Sequence, residues 1–366
     1  MLTLEETLAS QHELSRLCAD RPLVTKEIVG PNAFYGMDSV LKLYAGLPQT
    51  YALKAVVPHG VHFSDNWVFG AEVSARVPVV LCYPAYRERA YARCTTKEVV
   101  LSASPFLYAA EMLRTQPRPE RRGTIFFPAH STHWSTSHTD FDRLAEALTQ
   151  LDDEYQPVTV CMYWRDVSLG QHIPFRKRGL PVVSAGHMFS DPDFLFRLFH
   201  LCSLHRYASG NGVGTHMFYA VKAGCSYFHF ANHEYSLETP AEYAAYVWNF
   251  EFENLETAMQ RDLKSLFRDP SPVTSEERMR TADYFLGASY LLSRQKLREQ
   301  LLHAERLDKF GFVVRAGRRR RFVVATYYRR LIMRALRLPL SLLPPRAKMR
   351  VKRCLARLRK VGHRRR

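Results

Sequence analysis

The stretch Ser209-Gly-Asn-Gly-Val-Gly-Thr-His-Met-Phe-Tyr-Ala-Val-Lys-Ala-Gly-Cys225 places three alternating glycines directly before a helix-like run. The overlapping segment HRYASGN (205–211) is predicted to be a strand, and residues 215–223 should be helical. Gly212 and Gly214 tolerate positive φ and allow a ligand to approach the backbone closely. The free N–H groups and the positive dipole end of the helix would then point into the turn, which suits a diphosphate or a sugar hydroxyl.

A tight strand-to-helix turn without any ligand accounts for the same glycines, so this alternative stays open. The dinucleotide fingerprint does not fit, because counting from Gly210 its third glycine should fall at position 215, which is Thr215. The stretch also lies late in the chain, whereas that fingerprint usually opens its domain.

Short apolar runs alternate with longer mixed segments, which predicts an α/β fold. The predicted strands are 52–60, 77–83, 98–105, 123–132, 157–164, 180–186 and 205–211. Helices are predicted over 140–154, with Asp140 in the cap region, and over 191–204, with Asp191 as cap and Pro192 in the first turn. The segment 32–48 is helix-like, and the chain from about 236 to 310 is mainly helical.

Composition changes along the chain predict four regions. The segment RTQPRPERRG (114–123) is rich in proline and arginine and is predicted to be a linker. It separates a first α/β domain from a second, which is followed by a helical segment that completes or bridges the two and then by a tail. The regions are 1–115, 116–235, 236–311 and 312–366.

The net charge of +17 is concentrated in the tail, because residues 312–366 hold 20 Lys and Arg and no acidic residue. The rest of the chain holds 32 basic and 35 acidic residues, so its body lacks the positive surface that a specific nucleic-acid binder needs. Phe322, Val323, Tyr327 and Leu331 recur among the arginines at helical spacing, which favours binding to an anionic membrane surface. A disordered basic tail, or one that binds nucleic acid non-specifically, is the alternative.

Other general features favour a cytoplasmic protein. The N-terminus shows no signal peptide, no run of about eighteen apolar residues occurs, and the seven cysteines have no regular spacing. No metal is expected, because His130 and His133, or His59 and His62, lie three apart without a carboxylate that would complete a ligand set.

Polar residues follow four predicted strands of the second part and should meet at one edge of a parallel sheet, where such sheets bind ligands. Arg165 could bind a phosphate through bidentate hydrogen bonds of its guanidinium, and His130 and His187 could act as general acids or phosphate partners. From the first part, His59 could deprotonate an acceptor hydroxyl. Ordinary loop histidines are the alternative for each of these three. The predicted catalytic residues are His59, His130 and His187, and the predicted donor-binding residues are Ser131, Thr132, Arg165, Gly186, Ser209, Asn211, Gly212, Gly214, Thr215 and His216.

Five motifs together resemble a family found in bacterial surface-polysaccharide gene clusters. They are FYGMDSVLKLYAGLP, VPHGVHF, FPAHST, SAGHMFSDPDFLFRLF and ASGNGVGTHMFYAVKAG, and the similarity covers about residues 27–235. The last is the most specific, and here it contributes Ser209, Asn211 and His216. The family looks like GT-B-type glycosyltransferases of capsule or O-antigen (lipopolysaccharide) synthesis, and the basic tail is not part of its pattern.

The resemblance implies two Rossmann-like domains that face each other across a cleft, the second holding a nucleotide sugar and the first an acceptor. It implies a glycosyltransferase that works without a metal or other cofactor. Such an enzyme would act on a lipid-linked or oligosaccharide acceptor at the inner face of the bacterial cytoplasmic membrane, where the tail would hold it peripherally. The resemblance assigns no catalytic base. A non-catalytic polysaccharide-assembly protein of the same fold, or a nucleotide-sugar epimerase, remains an alternative.

Overall fold

A computed structural model describes residues 11–63, 68–116, 120–132, 135–189, 191–231, 233, 235–238 and 257–309. Within these ranges the chain forms thirteen α-helices and ten β-strands, and every strand except one pair belongs to a parallel sheet. The predicted α/β class is therefore confirmed. The predicted tail, 312–366, lies outside the described residues. Within the described ranges, every helix is too short or too polar to cross a lipid bilayer.

The first part contains a three-stranded parallel sheet in the order β1–β2–β3. Its strands are β1 (Ala55–Val56), β2 (Val79–Cys82) and β3 (Glu98–Leu101). Its helices are α1 (Gln11–Cys18), α2 (Met37–Tyr44), α3 (Gly70–Ser74), α4 (Glu88–Cys94) and α5 (Pro105–Leu113). All three strands lie inside predicted ones, because their apolar runs are confined to these short segments.

The second part contains a five-stranded parallel sheet and one antiparallel pair. Its strands are β4 (Thr124–Phe127), β5 (Thr136–His138), β6 (Val158–Cys161), β7 (Val182–Val183), β8 (Tyr207–Gly210), β9 (Ser226–His229) and β10 (Ser236–Glu238). Its helices are α6 (Phe141–Thr149), α7 (Trp164–Ser168), α8 (Ile173–Lys177), α9 (Phe194–Ser203) and α10 (Thr215–Ala223). The parallel order is β7–β6–β4–β8–β9, and β10 pairs with β5.

This strand order has a direct consequence for ligand binding. The chain begins in the middle of the sheet at β4, moves outward to β6 and β7, and then returns to the other side of β4 through β8 and β9. The connection after β4 therefore runs toward one side edge of the sheet, and the connection after β8 runs toward the other. In open α/β sheets this reversal opens a crevice at the carboxyl ends of the two central strands, which here are β4 and β8.

The two helices with predicted aspartate caps begin in different ways. Asp140 caps α6 as predicted, since its carboxylate accepts a hydrogen bond from the Arg143 amide at 2.9 Å, although the helix ends at Thr149. The predicted cap at Asp191 is wrong, because α9 begins only at Phe194. Asp191 instead forms a 3.1 Å ion pair with Arg197 from inside that helix.

Three further helices complete the described chain: α11 (Ala258–Leu266), α12 (Glu276–Leu286) and α13 (Arg294–Lys309). They confirm the mainly helical prediction over that part of 236–310 which the structure describes, apart from strand β10. Leu263, Phe285 and Leu297 join the largest apolar cluster, which also contains Leu81 from β2 and Phe127 from β4. The same core is therefore built from both sheets and from the C-terminal helices.

Strand β1 has a free edge that the side chain of Asn32 covers. The Asn32 amide donates to the Ala55 carbonyl at 2.8 Å, and its Oδ1 accepts from the Val57 amide at 2.9 Å. Asn32 thereby replaces a neighbouring strand, which satisfies backbone groups that burial would otherwise leave unpaired. Behind it, Glu27 accepts a 3.1 Å hydrogen bond from the Leu53 amide, so the polar network fixes the start of the fold.

Gly36, which precedes α2, cannot carry a side chain without displacing backbone atoms. Its φ is +67°, and a Cβ there would lie 2.5 Å from the Asp191 carbonyl oxygen and 2.7 Å from that of Pro192. We expect Gly36→Ala to lower the free energy of unfolding by about 2–3 kcal/mol, from the left-handed backbone and the overlap together. Chemical denaturation measures this loss.

Gly70→Ala is the matched control, because nothing lies within 4 Å of a Cβ at Gly70. We expect it to change the free energy of unfolding by less than about 0.5 kcal/mol. Equal losses in the two variants would contradict the packing argument for Gly36.

Candidate functional site

Two loops meet at the carboxyl ends of the central strands β4 and β8. The Ala129 amide donates to the Asn211 Oδ1 at 2.7 Å, and the Asn211 Nδ2 donates to the His233 carbonyl at 3.1 Å. Asn211 is 4% exposed. This predicted donor-binding residue therefore joins the loops 128–132 and 211–214, and it shapes the crevice from within the protein.

The glycine turn is closely packed, and its glycines do not adopt the positive φ that they tolerate. None of Gly210, Gly212 and Gly214 is among the glycines with positive φ. A Cβ at Gly210 would lie 2.6 Å from the Phe127 carbonyl oxygen, and one at Gly214 would lie 2.9 Å from His216 Nδ1. A Cβ at Gly212 would touch Ala129 at 3.3 Å. A side chain at Gly210 would therefore overlap backbone, and side chains at the other two glycines would press on their neighbours.

Helix α10 starts at this turn without a side-chain cap. Gly214 is its N-cap, and this position forms no side-chain cap hydrogen bond. Thr215, the first residue of the helix, accepts a 2.8 Å hydrogen bond from the Val61 amide through its Oγ1. The Met217 amide of the first turn donates to the Gly214 carbonyl at 3.3 Å, and the positive end of the helix dipole, which attracts anions, lies at this turn.

The hydrogen bond to Val61 brings a loop of the first part against the glycine turn. This loop follows β1 and carries the predicted catalytic residue His59. Gly60 lies so close that a Cβ there would be 3.1 Å from Thr215 Oγ1. The sequence placed His59 and Thr215 in separate regions, and the structure brings their loops together.

His59 and His216 are both held in the neutral form. Burial lowers the pKa of His59 to about 3, with smaller contributions from His62 and Arg87. Burial also lowers the pKa of His216 to about 3, and His130 and His229 add to the effect. At neutral pH both rings can hydrogen-bond a ligand, but neither carries a positive charge for a phosphate.

His187 and Gly186 lie inside the protein. His187 is fully buried, its ring centroid is 3.9 Å from that of Trp164, and its Nδ1 accepts a 3.0 Å hydrogen bond from the Phe189 amide. A Cβ at Gly186, whose φ is +115°, would overlap the Asp191 carboxylate. The structure therefore does not bring these two predicted site residues to the accessible surface of the crevice.

The remaining predicted hydroxyl residues form internal hydrogen bonds. Ser209 is buried and donates to the Phe228 carbonyl at 2.8 Å. Ser131 is buried as well, and its Oγ accepts a 2.9 Å hydrogen bond from the Ser137 amide. Thr132 Oγ1 accepts from the Ser135 amide at 3.0 Å. These three residues hold the strand ends and the loop after β4 in shape.

Among the predicted residues with charged or titratable groups, His130 is exposed and Arg165 is partly exposed. The His130 ring rests on Tyr163, with centroids 4.5 Å apart. Arg165 is partly exposed in α7, directly after β6, and makes no hydrogen bond or ion pair through its side chain with another described residue. A guanidinium in that position is available for a phosphate.

The structure also gives a contact to Asp166, which the sequence placed at the same sheet edge without a role. Asp166 is 2% exposed, and both carboxylate oxygens accept hydrogen bonds from the Ser131 amide, at 3.1 and 3.2 Å. The sequence signal was its position after the strand that became β6, next to Arg165; its bond to Ser131 depends on the tertiary fold. Among the described residues, no group of three or more His, Cys, Asp or Glu side chains is placed to hold a metal ion.

Comparison with known proteins adds no family assignment. No protein-family model matches the chain, and no curated protein matches it in sequence.

Proposed function

We propose that this protein is a glycosyltransferase that moves a sugar from a nucleotide-sugar donor to an acceptor of bacterial surface-polysaccharide synthesis. The crevice between the carboxyl ends of β4 and β8 carries the proposal, since it lies where doubly wound sheets bind nucleotides. The uncapped N-terminus of α10 and the available guanidinium of Arg165 supply the positive charge that a leaving phosphate needs.

The two sheets take different roles in this proposal. The five-stranded sheet would bind the donor, and the loop after β1 would present the acceptor, in the manner of a GT-B enzyme with two Rossmann-like domains. The contact between Val61 and Thr215 supports this division of roles between the two sheets, because it brings the loop after β1 to the glycine turn of the proposed donor site. The transfer would proceed without a bound metal, and no cofactor beyond the donor substrate is proposed.

The acceptor is proposed to be lipid-linked, and the basic tail to hold the protein at the inner face of the cytoplasmic membrane. Residues 312–366 contain 20 Lys and Arg with apolar residues between them. Such segments bind anionic lipid surfaces.

The proposal is tested by ligand binding at Arg165. Nucleotide sugars at a hundredfold excess over their dissociation constant should stabilise the protein by about 2.7 kcal/mol, seen as a raised Tm. We expect Arg165→Ala to weaken this binding about 10- to 100-fold, because a charge-assisted hydrogen bond contributes about 1.5–3 kcal/mol. Calorimetric titration with UDP-, GDP- and CMP-sugars measures the change.

Arg206→Ala is the matched control. Arg206 is an exposed arginine that immediately precedes β8, so it lies at the amino edge of the same sheet, away from the crevice. Nucleotide-sugar affinity should be unchanged in this variant. If no nucleotide sugar binds, or if both variants lose affinity equally, the proposed function is wrong.

A further inference from the structure

His130 differs from the other predicted catalytic histidines in its access to solvent. It is exposed, whereas His187 is fully buried among Trp164 and Phe189. Burial lowers the pKa of His59 to about 3. A ring with so low a pKa is a weak base, because it holds a proton too poorly to remove one from a hydroxyl. Access to solvent therefore singles out His130, and the low pKa of His59 counts against that ring as the base.

The hydrogen bond of His130 defines which ring nitrogen is free. Nδ1 lies 2.7 Å from the Ser131 carbonyl oxygen. A carbonyl oxygen only accepts, so Nδ1 must carry the hydrogen. In the neutral ring the lone pair is then on Nε2, which is the nitrogen left to accept a proton.

Asp166 binds the backbone amide of Ser131, the residue whose carbonyl contacts the His130 ring. Its carboxylate accepts the Ser131 amide hydrogen, while the Ser131 carbonyl accepts the hydrogen of His130 Nδ1. The chain of contacts thus runs from a buried carboxylate through one residue to the imidazole. The Ser131 carbonyl orients the ring directly, and Asp166 fixes the residue that supplies this carbonyl, so the imidazole is held in place by further groups as a catalytic base usually is.

The charges around this pair support the same assignment. Burial raises the pKa of Asp166, while the positive charge of His130, the hydrogen bonds from Ser131 and the charge of Arg165 lower it. His216, with His229 next to it, faces His130 from α10, and Tyr163 underlies the ring. Asp166 is thus the acidic group closest in this chain of contacts to His130, and Arg165 is the basic group beside Asp166.

We infer that His130 is the catalytic base of the transfer and that Asp166 is its positioning residue. The inference rests on the proposed function. His130 Nε2 takes the proton of the acceptor hydroxyl, and the acceptor oxygen forms a bond to the anomeric carbon of the donor sugar. The bond from that carbon to the phosphate oxygen breaks, and its electron pair leaves with the nucleotide.

Activity variants test the roles of the two residues. His130→Ala should lower kcat by about 100- to 10,000-fold, the range for loss of a general base. Asp166→Asn keeps the shape and an acceptor oxygen for the Ser131 amide but removes the charge. It should lower kcat with little change in KM and shift the acidic limb of the kcat/KM–pH profile toward lower pH, because the proton on His130 loses its partner. Asp193→Asn, at an exposed carboxylate that immediately precedes α9, should leave both quantities unchanged.

The probes are UDP-, GDP- and CMP-sugars, with lipid-linked oligosaccharide extracted from bacterial membranes as acceptor. Nitrogen-15 NMR of the full chain adds a readout without turnover, since the neutral His130 ring should carry its hydrogen on Nδ1. Three results would overturn this inference alone. They are sugar transfer that persists in His130→Ala, a kcat/KM–pH profile that does not shift in Asp166→Asn, and a neutral His130 ring with its hydrogen on Nε2. Absence of any nucleotide-sugar binding by the wild type would overturn the proposed function and this inference together.

Discussion

Lys42→Met is expected to lower the free energy of unfolding by about 3–5 kcal/mol, because it leaves two buried carboxylates without their positively charged partner. Lys42 Nζ lies 2.5 Å from Glu27 Oε1 and 2.7 Å from Asp38 Oδ2. The side chains of Lys42 and Glu27 are 4% and 1% exposed. Water therefore cannot replace the lost ammonium group, and the remaining negative charges repel each other without compensation.

The loss should depend on pH in a defined direction. Burial raises the pKa of Glu27 above its usual value, and the nearby ammonium of Lys42 partly offsets this. Removing Lys42 raises that pKa further, so folded Glu27 holds its proton to higher pH than unfolded Glu27 does. A group of this kind contributes stability below its folded pKa that is lost as the pH rises through it. We therefore expect Lys42→Met to be less destabilising in mild acid than at pH about 8.

Urea denaturation across this pH range measures the effect, and two controls accompany it. Lys54→Met removes an ion pair of 3.2 Å with Asp308 whose side chains are 25% and 34% exposed, and should cost at most about 1 kcal/mol. Adding Glu27→Gln to Lys42→Met should recover part of the loss, because one buried charge is removed. A loss in Lys42→Met no larger than in Lys54→Met would contradict the role of the buried charges.

Several elements that depend on local sequence were predictable, although the buried strand β9 was not predicted. All seven predicted strands contain an observed strand, because their apolar runs are short and bounded by turn residues. The cap at Asp140 was predictable because it is also local: the Arg143 amide that it binds is only three residues away. The antiparallel pair β5–β10 was not predicted, because Ser236 and His138 pair across almost a hundred residues and neither strand is apolar. The two-domain arrangement remains a prediction.

The candidate site was predictable in position and only partly in detail. Residues after β4, β6 and β8 were expected at one sheet edge, and the strand order brings them there. Which side chains reach the crevice depends on tertiary neighbours that the sequence does not name. His187 follows a strand as His130 does, yet it stacks on Trp164 while His130 stays exposed. The glycines were singled out for their tolerance of positive φ, whereas in the structure Gly210 is explained by its close approach to the Phe127 carbonyl.

Removal of residues 312–366 is expected to move the protein from the membrane fraction to the soluble fraction. Each basic residue near an anionic lipid surface contributes about 1 kcal/mol. Because every 1.4 kcal/mol is a factor of ten, engagement of only seven of the 20 basic residues would change the partition coefficient about 100,000-fold. The truncated chain would carry 32 basic and 35 acidic residues, so no excess positive charge would remain to hold it at the surface.

Sedimentation with lipid vesicles measures this partition and separates its causes. The full chain should pellet with vesicles that contain phosphatidylglycerol, should do so less with pure phosphatidylcholine, and should be released by salt as charges are screened. Replacing Phe322, Val323 and Leu331 by serine keeps every arginine and removes apolar contacts, so this control should weaken binding at high salt most. A truncated chain that still pellets with anionic vesicles would contradict the role of the tail. RNA binding with a steep salt dependence, in a chain that ignores lipid, would assign the tail to nucleic acid instead.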